Sequence, residues 1–140
     1  MQTSKTGINL IKSFEGLRLK AYKPVSTELY YTIGYGHYGA DVTADMTITE
    51  EQAETLLSQD LVKFERAVIA LGRDFNQNQF DALVSFTYNC GAANLKRLVA
   101  NRNNAQIAEA IPLYNRAGGK VLNGLIRRRA QERALFLKEV

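Results

Sequence analysis

One cysteine and one histidine occur in the 140 residues, and each scarcity closes off a class of molecule. Cys90 alone cannot form an intramolecular disulfide, and so little cysteine suits a reducing compartment. With His37 the sole histidine, a histidine-based metal site or a Ser-His-Asp triad has poor support. His37 is expected to serve structurally, paired with an aspartate. No apolar run approaches the roughly 18–20 residues that a membrane-spanning helix needs. Behind Met1-Gln2-Thr3-Ser4-Lys5-Thr6 there is no apolar stretch of signal-peptide type. Cytoplasmic synthesis without a signal peptide is the expectation, with any export by another route. Internal repeats, low-complexity tracts and disordered linkers are also missing.

What is present is an ordinary globular balance, 46% hydrophobic and 23% charged, with apolar residues spread along the whole chain. The net charge is +4 and the sequence pI about 9.3. Such a surplus favours polyanionic partners: nucleic acid, acidic lipid headgroups or the bacterial wall. Charge alone does not choose among them.

Ser4 or Thr6 can cap a first helix over 4–15 that carries Ile8, Ile11 and Phe14 at helical spacing, with Gly16 as its stop. Residues 16–48 read as a small antiparallel β lobe. Leu17 to Tyr22 alternate apolar and polar, Lys23-Pro24-Val25-Ser26-Thr27 is turn-like, and Tyr30-Tyr31-Thr32-Ile33 is a second strand. Gly34, Gly36 and Gly39 then break any long regular element. At Thr49 the period changes. Thr49-Glu50-Glu51-Gln52 matches a capping box, and Ala53, Leu56, Leu57, Leu61, Phe64, Val68 and Leu71 keep one apolar face as far as Gly72. A connecting helix over 49–71 follows, roughly 33 Å long at about 1.5 Å per residue. Residues 72–140 form a helical lobe. It starts with an N-cap at Asn76-Gln77-Asn78-Gln79, stapled by Phe75. A shorter helix follows at about 104–111, and a last one at about 120–138. The class is α+β.

Glu15 is a candidate general acid on physical grounds. It sits where the first helix should end, beside Phe14 and a glycine. The negative end of a helix dipole and an apolar neighbour both favour the protonated carboxyl, the form a general acid needs. The ordinary alternative is a solvated glutamate at a helix end. In the last helix, Leu122, Leu125, Ile126, Ala130, Phe136 and Leu137 fall on one side at 100° spacing. Arg129 and Arg133 lie in its middle, and Arg127 and Arg128 point away. An inward guanidinium needs an anionic or carbonyl partner. Glu15 would serve Arg129; Glu132, Glu139 or Asp81 are the alternatives.

Phe14-Glu15-Gly16-Leu17-Arg18-Leu19-Lys20-Ala21-Tyr22-Lys23, followed by Tyr31-Thr32-Ile33-Gly34-Tyr35-Gly36-His37, closely resembles the phage-type lysozymes of glycoside hydrolase family 24. So do Phe80-Asp81-Ala82-Leu83-Val84-Ser85-Phe86, Tyr88-Asn89-Cys90-Gly91, Asn115 to Lys120 and Gly124 to Arg129. The resemblance covers nearly the whole chain in the right order. It implies a lysozyme-like fold, with a small antiparallel β lobe and a larger helical lobe joined by the long helix and a cleft between the lobes. The implied reaction is cofactor-free hydrolysis of the β-1,4 bond between N-acetylmuramic acid and N-acetylglucosamine in peptidoglycan. The enzyme would be made in the host cytoplasm as a monomer and act on the wall. Glu15 matches the family's general acid, and Thr32 matches the threonine that holds the attacking water.

One departure stands out. The family usually has Asp or Cys nine residues after the glutamate and six before the threonine. Here these counts reach Pro24 and Ser26, so the turn is two residues longer and neither position holds a carboxylate. Glu28, the only acid in the turn, is the candidate for the second role. Asp41 is a weaker one, and Thr32 with backbone groups could hold the water unaided. Tyr35, Tyr88 and Asn89 are candidate sugar contacts, with core packing an equal reading for Tyr88. Gly34-Tyr35-Gly36 is no nucleotide loop, because no helix of a βαβ unit follows it. Cys90 reads as an inert core residue. A wall-binding protein without turnover, or a nucleic-acid binder using Arg127 to Arg129, are the competing functions. Consecutive arginines on a helix point in different directions, however, and no recognition motif accompanies them.

Overall fold

The computed structural model describes residues 1–140. In chain order it contains α1 (Lys5–Glu15), β1 (Arg18–Tyr22), β2 (Tyr31–Gly34), β3 (His37–Gly39), α2 (Glu50–Ile69), α3 (Gln77–Cys90), α4 (Ala92–Val99), α5 (Asn104–Ala110), a 3₁₀ turn (Ile111–Leu113), β4 (Arg116–Ala117), β5 (Lys120–Val121) and α6 (Asn123–Leu137). Helices and small antiparallel sheets in this order make the expected α+β class. Residues 11–62 form one compact unit, and residues 1–10 with 63–140 form another. Both α1 and α2 run through the division.

Within residues 11–62, the sheet has the order β1-β2-β3. Its β2–β3 register pairs Tyr31 with Gly39, Thr32 with Tyr38 and Ile33 with His37. β1 pairs Arg18 with Gly34 and Tyr22 with Thr32, with an irregularity between them. β3 lies in a region whose glycines were expected to break regular structure. They make the turn instead: Gly34 (φ 68°) and Gly36 (φ 89°) take left-handed backbone, which lets the chain reverse across Tyr35-Gly36 into a third strand. A Cβ at Gly34 would lie 3.5 Å from that of Ala53 on α2, an ordinary contact, so the positive φ and not crowding calls for glycine there. Ile11, Ile33, Val42, Ala53, Leu57 and Leu61 are buried and form the core. The start of α2 follows its local chemistry. The Thr49 N–H donates to the Gln52 side chain (2.9 Å) and the Gln52 N–H donates to the Thr49 hydroxyl (3.1 Å), a reciprocal capping box. Glu50 and Glu51 occupy the first turn, where the helix dipole favours them.

The other unit is mostly helical. Asn76 and Gln79 cap α3 reciprocally, as expected. Phe75 is buried and packs edge-on against Phe136, with centroids 6.2 Å apart. α4, β4 and β5 were not anticipated, and β5 takes the first residues of the helix expected over 120–138, which begins at Asn123. α4 follows Gly91 (φ 88°) and buries Leu95, Leu98 and Val99. β4 and β5 form a hairpin closed by Gly118 and Gly119, both at positive φ, the conformation a tight two-residue hairpin turn requires. The start of α1 is held by carboxylates. Thr3 donates its N–H (2.8 Å) and hydroxyl (2.6 Å) to Glu65. Ser4 donates its N–H to buried Asp81 (3.0 Å) and its hydroxyl to the same carboxylate. Gly7 packs so closely on Asp81 that a Cβ would come within 2.8 Å of that side chain.

α6 corrects the periodicity reading. Its buried residues are Arg128, Arg129, Glu132, Leu135 and Phe136. Ile126 and Leu137 are 44% and 50% exposed, and Leu122 is exposed as well. Arg128 therefore faces inward, contrary to expectation, and Arg133 is half-exposed and pairs with Glu109 at 2.8 Å. The inner face of this helix is chosen by mutual pairing of charges rather than by an apolar stripe.

Candidate active site

Glu15 is the last residue of α1 and is half-buried. The helix stops there because Gly16 adopts φ 72° and donates its N–H to the Lys12 carbonyl at 3.2 Å, the left-handed stop that glycine makes without steric cost. A Cβ at Gly16 would meet nothing within 4 Å, so conformation, not crowding, calls for glycine. Beside Glu15 in the sequence, α1 is tied to α2 by the ion pair of Lys12 with Glu54.

Thr32 occupies the central strand, nine-tenths buried, and is paired with Tyr22 on one side and Tyr38 on the other. Glu28 lies in the segment between β1 and β2, half-buried, its N–H donating to the Val25 carbonyl at 3.0 Å to close a turn. Glu15, Glu28 and Thr32 thus all belong to the unit of residues 11–62.

Asp41 is committed elsewhere. It accepts from His37 Nε2 at 2.8 Å, and the same imidazole meets both oxygens of Asp60 through Nδ1 at 3.0 and 2.8 Å. Burial alone would depress the His37 pKa, but the hydrogen bonds and charges of Asp41 and Asp60 outweigh it and raise the value above 6.5. The hydrogen bond from His37 holds the Asp41 carboxyl below its ordinary 3.8. His37 is therefore paired with aspartate, as expected, though sequence reasoning did not single out Asp60 as its partner. Tyr35 is only 5% exposed, with the Lys12 ammonium 5.3 Å from its ring centroid. Little of its ring is left for a sugar to stack on.

The remaining candidates lie in the other unit. Tyr88 is half-buried and packs edge-on against Phe64, centroids 5.2 Å apart. Asn89 is exposed, and its side-chain oxygen accepts from Arg129 at 2.7 Å. That bond fixes the amide with its NH₂ end free to donate to another group. Asn89, Cys90, Asn94, Tyr114 and Arg116 contribute to a pocket of about 420 Å³.

Arg129 is fully buried, and its own unit supplies a carboxylate: Glu132, with Nε to Oε1 at 2.8 Å. Those two atoms attract as charges but are not aligned as a hydrogen bond. Arg128 donates to the second Glu132 oxygen at 3.2 Å, and the Ser85 hydroxyl donates to it at 2.6 Å. Burial pushes the Glu132 carboxyl up, against the pull of Arg129 and Arg128. Of the partners weighed for Arg129, Glu132 is the one found in this cluster; the contribution of Ser85 left no sequence signal. Burial likewise pushes the Cys90 thiol up, with Arg129 opposing, which suits an inert thiol. No group of three His, Cys, Asp or Glu side chains is placed to hold a metal ion.

Residues 12–132 match the family described as phage lysozyme. The chain belongs to that family. It is 54% identical to the endolysin of Bacillus phage PZA over 142 residues, covering 97% of this chain and 55% of the other. A phage lysozyme chain of this size therefore spans about half the length of that relative. Among solved structures, the muramidase domain of SpmX from Asticcacaulis excentricus superposes with a TM-score of 0.87 at 38% identity, covering 99% of each chain. The endolysin from Escherichia coli O157:H7 phage FAHEc1 gives 0.84 at 42% identity, covering 100% of this chain and 96% of the other. The fold is that of the lysozymes. The matched range includes Glu15, Glu28 and Thr32.

Proposed function

We propose that this chain is an endolysin-type muramidase that hydrolyses the β-1,4 bond between N-acetylmuramic acid and N-acetylglucosamine in peptidoglycan, with inversion. The carrying observation is that Glu15 ends α1 at a left-handed glycine, in the same unit as a nearly buried Thr32 on a central strand. Glu15 protonates the glycosidic oxygen as the bond breaks. Thr32 holds the attacking water through its hydroxyl, and Glu28 takes the water's proton. In an inverting enzyme acid and base stand roughly 6.5–9.5 Å apart, which leaves room for that water. Asn89 donates its amide hydrogens to a sugar oxygen, and Tyr88 offers an aromatic face to a sugar. Arg129 fixes the Asn89 amide. No cofactor takes part. The charge of +4 speeds encounter with the anionic wall. Made in the host cytoplasm, the protein acts on the wall as a monomer after release. No helix is long and apolar enough to cross a membrane.

Release of reducing ends from purified peptidoglycan tests the reading. Glu15→Gln keeps the shape but cannot donate the proton, so the rate should fall by roughly 10²–10⁴-fold with the fold intact by circular dichroism. Wild-type turnover by the variant would refute the assignment of Glu15. A wild-type protein that binds peptidoglycan and releases no reducing ends would instead be a wall binder. Mass spectrometry of the products separates hydrolysis from transfer to an anhydro sugar.

A further inference from the structure

The segment between β1 and β2 carries Glu28 and needs something to hold it. Its internal restraint is the turn closed by the Glu28 N–H on Val25. Two residues further on, Tyr30 is tied to Tyr38. The Tyr30 N–H donates to the Tyr38 hydroxyl at 3.2 Å, and the two rings lie 5.5 Å apart at 59°. Tyr38 is 45% exposed and Tyr30 36%, so apolar burial does not account for this pair. Tyr38 is also the direct cross-strand partner of Thr32. Directly opposed residues of an antiparallel pair share a face, with Cβ atoms about 4.5–5.5 Å apart. One side chain therefore adjoins the threonine and grips the loop that brings the glutamate.

The strand beneath Tyr38 is itself anchored. Its neighbour His37 projects from the opposite face of β3 and is held by Asp60 on α2 at 2.8 Å and by Asp41 at 2.8 Å. Tyr38 thus projects from a fixed strand, and its hydroxyl is a rigid acceptor for the last loop amide before the ladder begins at Tyr31. A phenylalanine would keep the ring contact but leave that amide without this acceptor.

We propose that Tyr38 is a positioning residue that couples the Glu28 segment to Thr32, so that both groups keep one geometry around the attacking water. The inference rests on the reading of Glu28 as the second carboxylate. Misplacing a reacting group by about 1 Å can cost up to roughly 10²-fold in rate, so loosening one tether should cost less. The experiment compares wild type, Tyr38→Phe, Glu28→Gln and the double variant on soluble glycan fragments of peptidoglycan, with kcat and KM measured separately and folding checked by thermal melting. Tyr38→Phe should lower kcat about tenfold with KM and melting temperature unchanged. In the Glu28→Gln background the same change should alter kcat by less than about twofold, because the group it positions is already disabled. An unchanged kcat for Tyr38→Phe, an equal loss in both backgrounds, or a loss confined to KM would each overturn the inference while leaving Glu28 in place. Full kcat for Glu28→Gln alone would overturn the Glu28 reading and this inference with it.

Discussion

Replacing Asp60 by asparagine isolates the charge in the His37 cluster, because the amide oxygen can still accept from Nδ1–H. In the folded protein both Asp60 oxygens lie within 3.0 Å of Nδ1, and the His37 and Asp60 side chains are only 15% and 25% exposed. Hydrogen bonds to charged groups contribute about 1.5–3 kcal/mol, and roughly half should survive when one partner becomes neutral. The expected loss is about 1–1.5 kcal/mol, or roughly 3–5 °C in melting temperature for a domain of this size. Asp41→Asn should cost less, about 0.5 kcal/mol, because the Asp41 side chain is 66% exposed and screened. The effect depends on pH in a fixed sense. The folded pKa of His37 is raised above 6.5, so its contribution is complete below that value and is lost as pH rises through the folded pKa. Asp41 is lowered below 3.8, so its share is complete above that value and lost as pH falls through the folded one. Thermal melts of wild type and Asp60→Asn at about pH 5 and pH 9 should therefore show a clear gap at the lower pH and a much smaller one at the higher. An equal gap at both would refute the reasoning, since hydrogen bonding or packing, not charge, would then hold the cluster.

Three further outcomes are expected. Glu132→Gln should lower the urea midpoint by the equivalent of about 3 kcal/mol with the slope unchanged, because the fully buried Arg129 loses the carboxylate it faces; a loss under about 1 kcal/mol would show that the cluster is better solvated than its burial indicates. Gly7→Ala should destabilise by about 1–3 kcal/mol, since its Cβ would meet Thr3 at 2.7 Å and Asp81 at 2.8 Å, and an unchanged melting temperature would contradict the close packing at the start of α1. Glu28→Gln should lower kcat more than it raises KM, and Thr32→Ala should share part of that loss; full kcat for Glu28→Gln beside an impaired Thr32→Ala would leave an enzyme that works with one carboxylate.

The caps were legible because their partners lie three residues apart. Thr49 with Gln52 and Asn76 with Gln79 close on themselves whatever the rest of the chain does. Glycines were legible as interruptions but not as devices. Gly34 and Gly36 turn the chain into β3, and Gly118 and Gly119 close β4 onto β5, where the sequence showed only breaks. α4 has no place in the sequence reading, although Leu95, Leu98 and Val99 have helical spacing. Glu15 was legible twice over, as a helix end and as part of a motif.

The amino-acid order alone determined where α1 stops and where α2 and α3 begin, the α+β class and the motif that carries the family likeness, since each depends on residues within a few positions of one another. Only the folded chain decided which charges face inward. Periodicity turned Arg128 outward and Ile126 inward, and the structure reverses both, because a guanidinium goes where Glu132 and Ser85 can compensate it, and Ser85 lies 43 residues away. The same holds for His37 with Asp60, 23 residues apart, and for Tyr38, whose part depends on the strand register that sets it beside Thr32. A hydrogen-bond or charge partner distant in sequence leaves no periodic trace, and chain closure alone brings it within reach.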